Sequence, residues 1–299
     1  MYAAVYIALV LSVLAAPAAL LVARCMAPDV AAKFLCATAL TASACLAWDL
    51  ALLSGAALGP ELRALWVSRS GAAVSVPVPD WVSSVAGIAL LVAAYRVARF
   101  WERRAALLRE TNACLPESEV SNLVIIDDPA PQAFAVSGAS PRVIVTSGML
   151  QALKPLEQRA LLAHERAHLA HHHHRYQTLT RVASIVNPAV TVVTRRATYA
   201  LERWADEDAA AVIGDRPAVA TSLARVALLT NEVPGSVSLA YANLGVVDRV
   251  SAMRAEKPPR RSLLGLGSFL LVAIPATVAV MDATLSLARI LDAGAIIHR

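Results

Sequence analysis

Long apolar runs open and close this chain, and a mixed polar stretch separates them. A bilayer-crossing helix needs about 20 apolar residues. Tyr2–Val22 and Phe34–Leu58 meet that requirement. Val82–Tyr95 is shorter and runs into Arg96 and Arg99, whose stems would have to reach back to the interface. Trp81 and Trp101 bracket it where an aromatic belt would lie. Leu263–Met281 carries no charge and forms a fourth candidate. The first run lacks a basic leader and exceeds a typical signal core, so it reads as a retained helix.

Between the third and fourth runs, from about Glu102 to Arg261, the pattern changes. Three short β-rich stretches, Leu123–Ile126, Ala133–Val136 and Val143–Thr146, are separated by Asp127-Asp128-Pro129 and by Ser137-Gly138-Ala139-Ser140-Pro141. They predict a small sheet. A helix is predicted from about Pro155, a good first-turn residue, with Leu156, Ala160, Leu161 and Ala163 on its apolar side. A second spans about Tyr176–Val193, with a break expected at Asn187-Pro188. A third runs from about Ala197 to Ile213 and stops at Gly214. Helical patterns resume at Pro217–Leu229 and Val246–Arg254, and Lys257-Pro258-Pro259 links into the last span.

Composition agrees: 58% of the 299 residues are hydrophobic and 16% charged, too apolar for an ordinary soluble domain. The expected fold is therefore a mostly α membrane protein. Three transmembrane helices fill residues 1–101, a cytosolic α+β domain fills 102–261, and a fourth helix with a short tail fills 262–299.

Charge sets the orientation. Arg24, Lys33, Arg96, Arg99, Arg103, Arg104, Lys257, Arg260 and Arg261 all fall on one side if the N-terminus is outside, which makes that side the cytoplasm. These residues largely account for the net charge of +5. No basic helix with base-reading side chains and no paired Cys/His finger is present, which argues against a nucleic-acid partner. Cys25, Cys36, Cys45 and Cys114 form no Cys-x-x-Cys pair and read as small packing residues. Asp49 and Asp282 lie within or near spans, either as functional intramembrane carboxylates or as residues at the outer interface.

The chemistry concentrates in His164-Glu165-Arg166-Ala167-His168. Residues four apart share a helical face, so His164 and His168 can grip one Zn²⁺ per chain, and Glu165 can take a proton from water there. Six of the seven histidines lie between His164 and His174. A third ligand is still required. Glu202 and Asp206, four apart on a later helix, can divide the work, one binding metal and the other orienting a histidine. Glu207 and Asp208 look like a solvated acidic face. His174, ten residues after His164, is a weaker rival, because the chain-turning glycine that such an arrangement needs is replaced by His171. The run from His171 to His174 reads as a solvated helix end.

His164-Glu165-x-x-His168 followed by Glu202-x-x-Ala205-Asp206 resembles the gluzincin membrane peptidases, among them the heat-shock membrane protease and the CAAX prenyl endopeptidase. Ala133-Phe134-Ala135-Val136 and Val145-Thr146-Ser147-Gly148-Met149-Leu150 resemble the strand pair placed before their zinc helix. The span arrangement is most similar to the antirepressor peptidases of the β-lactam sensor-transducer type, without their sensor domain. The resemblance implies Glu202 as third ligand, Asp206 as the partner of a ligating histidine, and Arg249, in Asp248-Arg249-Val250, near the active site as an oxyanion or substrate contact. It implies a zinc endopeptidase of the membrane acting on a protein substrate such as a transcriptional repressor. Quality-control proteolysis and a non-catalytic zinc scaffold are the alternatives. Arg159, Arg166 and Arg175 around the motif argue against a zinc helix buried in the bilayer.

Overall fold

A computed structural model describes residues 16–55, 79–113, 122–137, 141–231 and 245–256, with 267, 278 and 281. The predicted span Leu263–Met281 and most of Tyr2–Val22 lie outside the described residues. After a helical stretch at 16–23, α1 covers Pro28–Gly55 and α2 covers Asp80–Ala113. Both are long and apolar enough to cross a membrane. On α2 the buried positions are small, Ser83, Ala86 and Ala93, while Val85, Ile88, Leu91, Val92 and Tyr95 are exposed. Small residues let neighbouring helices approach closely and leave the bulky apolar ones for lipid. A Cβ on Gly87 of α2 would sit 3.6 Å from the Cβ of Ser54 on α1.

Three strands follow: β1 (Leu123–Ile126), β2 (Ala133–Val136) and β3 (Arg142–Thr146). Their order is β1-β3-β2, with β1 parallel and β2 antiparallel to β3. The central strand holds Val143, Ile144 and Val145, all buried, as a strand covered on both faces requires. Thr146 ends β3 and caps α3 (Ser147–Ala152), accepting from the Met149 N–H at 3.2 Å and donating to the Ala130 carbonyl at 2.7 Å.

Helix α4 (Pro155–Ala170) begins at its proline, and the Glu157 carboxylate accepts the Lys154 N–H at 2.8 Å. It stops at the histidine run. His172 adopts left-handed backbone (φ 52°), and α5 (His173–Val186) starts in a new direction. The expected break at Asn187-Pro188 is present. Asn187 accepts from the Ala189 N–H at 3.1 Å, a short 3₁₀ turn covers Pro188–Val190, and α6 (Thr191–Ile213) follows, longer at its start than the sequence suggested. Gly214 closes α6 with φ 78°. Helices α7 (Arg216–Asn231) and α8 (Val246–Arg254) complete the order.

The main core crosses the expected boundary at residue 101. Phe34, Leu35, Cys36 and Ala39 of α1 pack with Ala183 of α5 and with Val193, Ala197, Leu201 and Trp204 of α6. Ser43 Oγ reaches the Ala183 carbonyl at 3.0 Å, and Asn187 Nδ2 reaches the Ala42 carbonyl at 3.5 Å. Lys33 at the other end of α1 lies over the Trp204 ring, 4.7 Å from its centroid. Protein therefore covers much of this apolar helix. Asp49 is fully buried among the helices.

Candidate metal centre

Helix α4 brings His164 and His168 onto one face, and α6 packs across it with Glu202. His164 Nε2 and His168 Nε2 are 3.1 Å apart, and Glu202 carboxylate oxygens lie 3.5 and 3.6 Å from them. These three donors form a group able to hold one metal ion. A tetrahedral zinc site with bonds of about 2.0–2.1 Å spaces its ligand atoms by roughly 3.3 Å, so both donor set and spacing fit Zn²⁺. Charge fits as well. Glu165, Glu202 and Asp206 against Arg249 leave two negative charges for a dication to neutralise.

Each imidazole is held from behind. Asp206 Oδ1 lies 3.1 Å from His164 Nδ1, and His173 Nδ1 lies 2.8 Å from His168 Nδ1. Such contacts fix ring orientation and leave Nε2 facing the metal. Asp206, 1% exposed, is gripped by Arg249, whose Nε and Nη2 donate to its two oxygens at 2.9 and 2.7 Å. Arg249 Nη1 also sits 3.2 Å from Glu202. The Arg249 guanidinium thus joins both carboxylates, its fork engaged by protein acids.

The electrostatics follow from that arrangement. Burial opposes ionisation of Asp206, but the Arg249 guanidinium outweighs it and holds the carboxyl down at about 2. Glu202 is pushed lower still: burial again opposes, while His168, Arg249 and His164 win. His164 goes the other way. Burial disfavours its charge, yet the hydrogen bonds it donates to the Asp206 and Glu202 carboxylates raise it to about 10. Burial, aided by neighbouring His168, lowers His173 to about 3, so that ring is neutral.

Two expectations need correction. The histidine run is not a uniformly solvated helix end, because His173 is fully buried against His168 and Trp204, and His171 pairs with Asp208 at 2.5 Å. Glu207 is not part of a solvated face either. It is buried between Arg203 at 2.9 Å and Arg216 at 2.8 Å, and Arg216 also bonds the Ala252 carbonyl at 3.1 Å, tying α8 and its Arg249 to α6. His173 was missed, and its only signal was membership in the histidine run. Glu207 had a readable signal in its i−4 partner Arg203.

Glu165 borders a cavity of about 160 Å³ with His164, Glu202 and Arg249 on its polar side and Met149, Leu161 and Val226 on its apolar side. Ala133 of β2 reaches the same cavity. The site thus joins a metal triad, a nearby carboxylate and a sheet strand.

Residues 96–241 match the model of Peptidase family M48, and that stretch contains the whole triad. A protease HtpX homolog from Chlorobium limicola is 37% identical over 87 residues, which are 28% of this chain and 29% of that protein. A protease HtpX homolog from Dictyoglomus thermophilum is 34% identical over 92 residues, 29% of each chain. The similarity therefore spans less than a third of these relatives' length. No solved structure matches the chain. The stretch that carries the His164–His168–Glu202 triad is thus the stretch similar to Peptidase family M48.

Proposed function

We propose that this chain is a membrane-bound zinc endopeptidase that hydrolyses peptide bonds of a protein substrate on the cytoplasmic side. The observation that carries the reading is the His164–His168–Glu202 triad with Glu165 beside it on a shared cavity. His164, His168 and Glu202 would hold Zn²⁺, which supplies Lewis acidity toward water and the scissile carbonyl. Glu165 takes the proton from the attacking water and returns it to the leaving nitrogen. Asp206 and His173 keep the two imidazoles aimed, and Arg249 keeps Glu202 and Asp206 ionised and in place. With those contacts occupying Arg249, its part is chiefly positioning, and any contact with the oxyanion is secondary. Strand β2 is an edge of the sheet among the described residues, and its Ala133 borders the cavity, which favours an extended substrate adding alongside it.

The cytoplasmic assignment rests on Lys33 and Arg104. Lys33 lies over Trp204 and Arg104 lies close enough to His174 to depress its basicity, after burial, so the basic ends of both membrane helices share a side with the metal centre. A regulatory substrate such as a repressor is the reading we favour, on the resemblance to the antirepressor peptidases. The test uses full-length protein in detergent. Glu165→Gln is expected to keep one zinc per chain and lose at least about a hundredfold in casein cleavage. Undiminished cleavage by that variant overturns the reading.

A further inference from the structure

A second and larger cavity, about 550 Å³, is also lined by Glu202. One face of α6 walls it: Val192, Arg195, Arg196, Tyr199 and Glu202 recur at helical spacing. Arg24, which follows the 16–23 helix, and Asp248 at the start of α8 also line it. Arg24 and Arg195 are exposed, and Arg196 lies over the Tyr199 ring, 4.4 Å from its centroid. Among the described residues none of the three guanidiniums is paired with a carboxylate. Among the described residues, three arginines line the cavity with one acid outside the metal centre, Asp248.

We propose that this cavity is a substrate subsite that selects acidic side chains near the scissile bond. The proposal rests on the peptidase reading and names its substrate class. A concave, positively charged wall concentrates anionic groups, and guanidinium forks bind carboxylates in two-point geometry. Arg195 and Arg196 precede Glu202 by seven and six residues, roughly 10 Å along α6. Extended peptide covers about 3.3 Å per residue, so the favoured acid lies about three residues from the cleaved bond.

The test uses the full chain in detergent and fluorogenic casein-derived peptides carrying Glu, Gln or Lys at successive positions. Binding is read by anisotropy on the Glu165→Gln protein, and cleavage on the unmodified one. A Glu peptide is expected to bind about three- to tenfold more tightly than its Lys counterpart, with the preference in KM rather than kcat and weaker at high salt. Arg195→Glu combined with Arg196→Glu inverts that ratio, and Asp248→Asn increases it. A ratio unmoved by either set of substitutions overturns the subsite. So does a result in which the arginine substitutions abolish binding to phosphatidylglycerol vesicles while peptide preference stays intact, which assigns the cavity to a lipid headgroup. Failure of the peptidase reading shows separately, as absence of Glu165-dependent cleavage with every peptide, while the anisotropy series still decides the subsite.

Discussion

His173 Nδ1 lies 2.8 Å from His168 Nδ1, so one ligating imidazole is held from behind by a second, fully buried imidazole. Its counterpart on His164 is the Asp206 carboxylate. The two ligands thus have unlike supports: one charged and locked by Arg249, the other neutral and packed against Trp204.

Removing the neutral support should loosen the metal. His173→Phe keeps an aromatic ring in the pocket but deletes the nitrogen facing His168. Zinc affinity is expected to fall about 10- to 100-fold in chelator competition. His173→Asn, which keeps a polar atom near that position, should lose less. Equal affinity for unmodified and His173→Phe protein would show that packing alone orients His168.

The Arg249–Asp206 pair is a buried ion pair, and breaking one side strands the other. Arg249→Met is expected to cost about 3–5 kcal/mol of stability. Combining it with Asp206→Asn should cost less than the sum of the separate losses, because neither charge is then left alone. Denaturant unfolding of the four proteins in one detergent provides the comparison.

Zinc and a proton compete at His164. Its raised pKa of about 10, set by Asp206 and Glu202 against the opposing effect of burial, means the metal-free imidazole is charged at neutral pH. Burial instead lowers His168, which gives up no proton. Metal binding needs both rings neutral, so one proton leaves as zinc enters, and affinity rises with pH by about tenfold per unit between pH 6.5 and 8.5. Calorimetry in buffers of different ionisation enthalpy counts that proton; a count of zero contradicts the prediction.

Gly148, at the first turn of α3, donates its N–H to the Asp128 carbonyl at 2.9 Å. A Cβ there would collide with the Pro129 backbone, which is not the yielding end of a side chain. Gly148→Ala should therefore destabilise the sheet end by about 1–3 kcal/mol, seen as a lower midpoint in thermal unfolding. Met149, the next residue, borders the cavity beside Glu165, so peptide KM should rise as well.

Local chemistry explains which parts were legible in the sequence. The strands, the start of α4 at Pro155 and the break at Asn187 depend on neighbouring residues, and each appears close to its expected place. His173 was not legible. The histidine run read as a solvated helix end, but nothing in it showed that His172 takes the left-handed conformation or that His173 is buried. Glu207 looked solvated because an acidic residue is ordinarily exposed, and its second partner, Arg216, belongs to the next helix. Hydropathy marked α1 as apolar but is blind to whether lipid or protein covers it.

That last point has a mechanical consequence. Ser43 and Asn187 stitch α1 to α5 and to the turn leading into α6, and α6 carries Glu202. A membrane helix tilts when the thickness of its bilayer changes. Any such tilt of α1 bears directly on the helix that supplies the carboxylate ligand, so membrane thickness becomes a tuning variable for the grip on the ion.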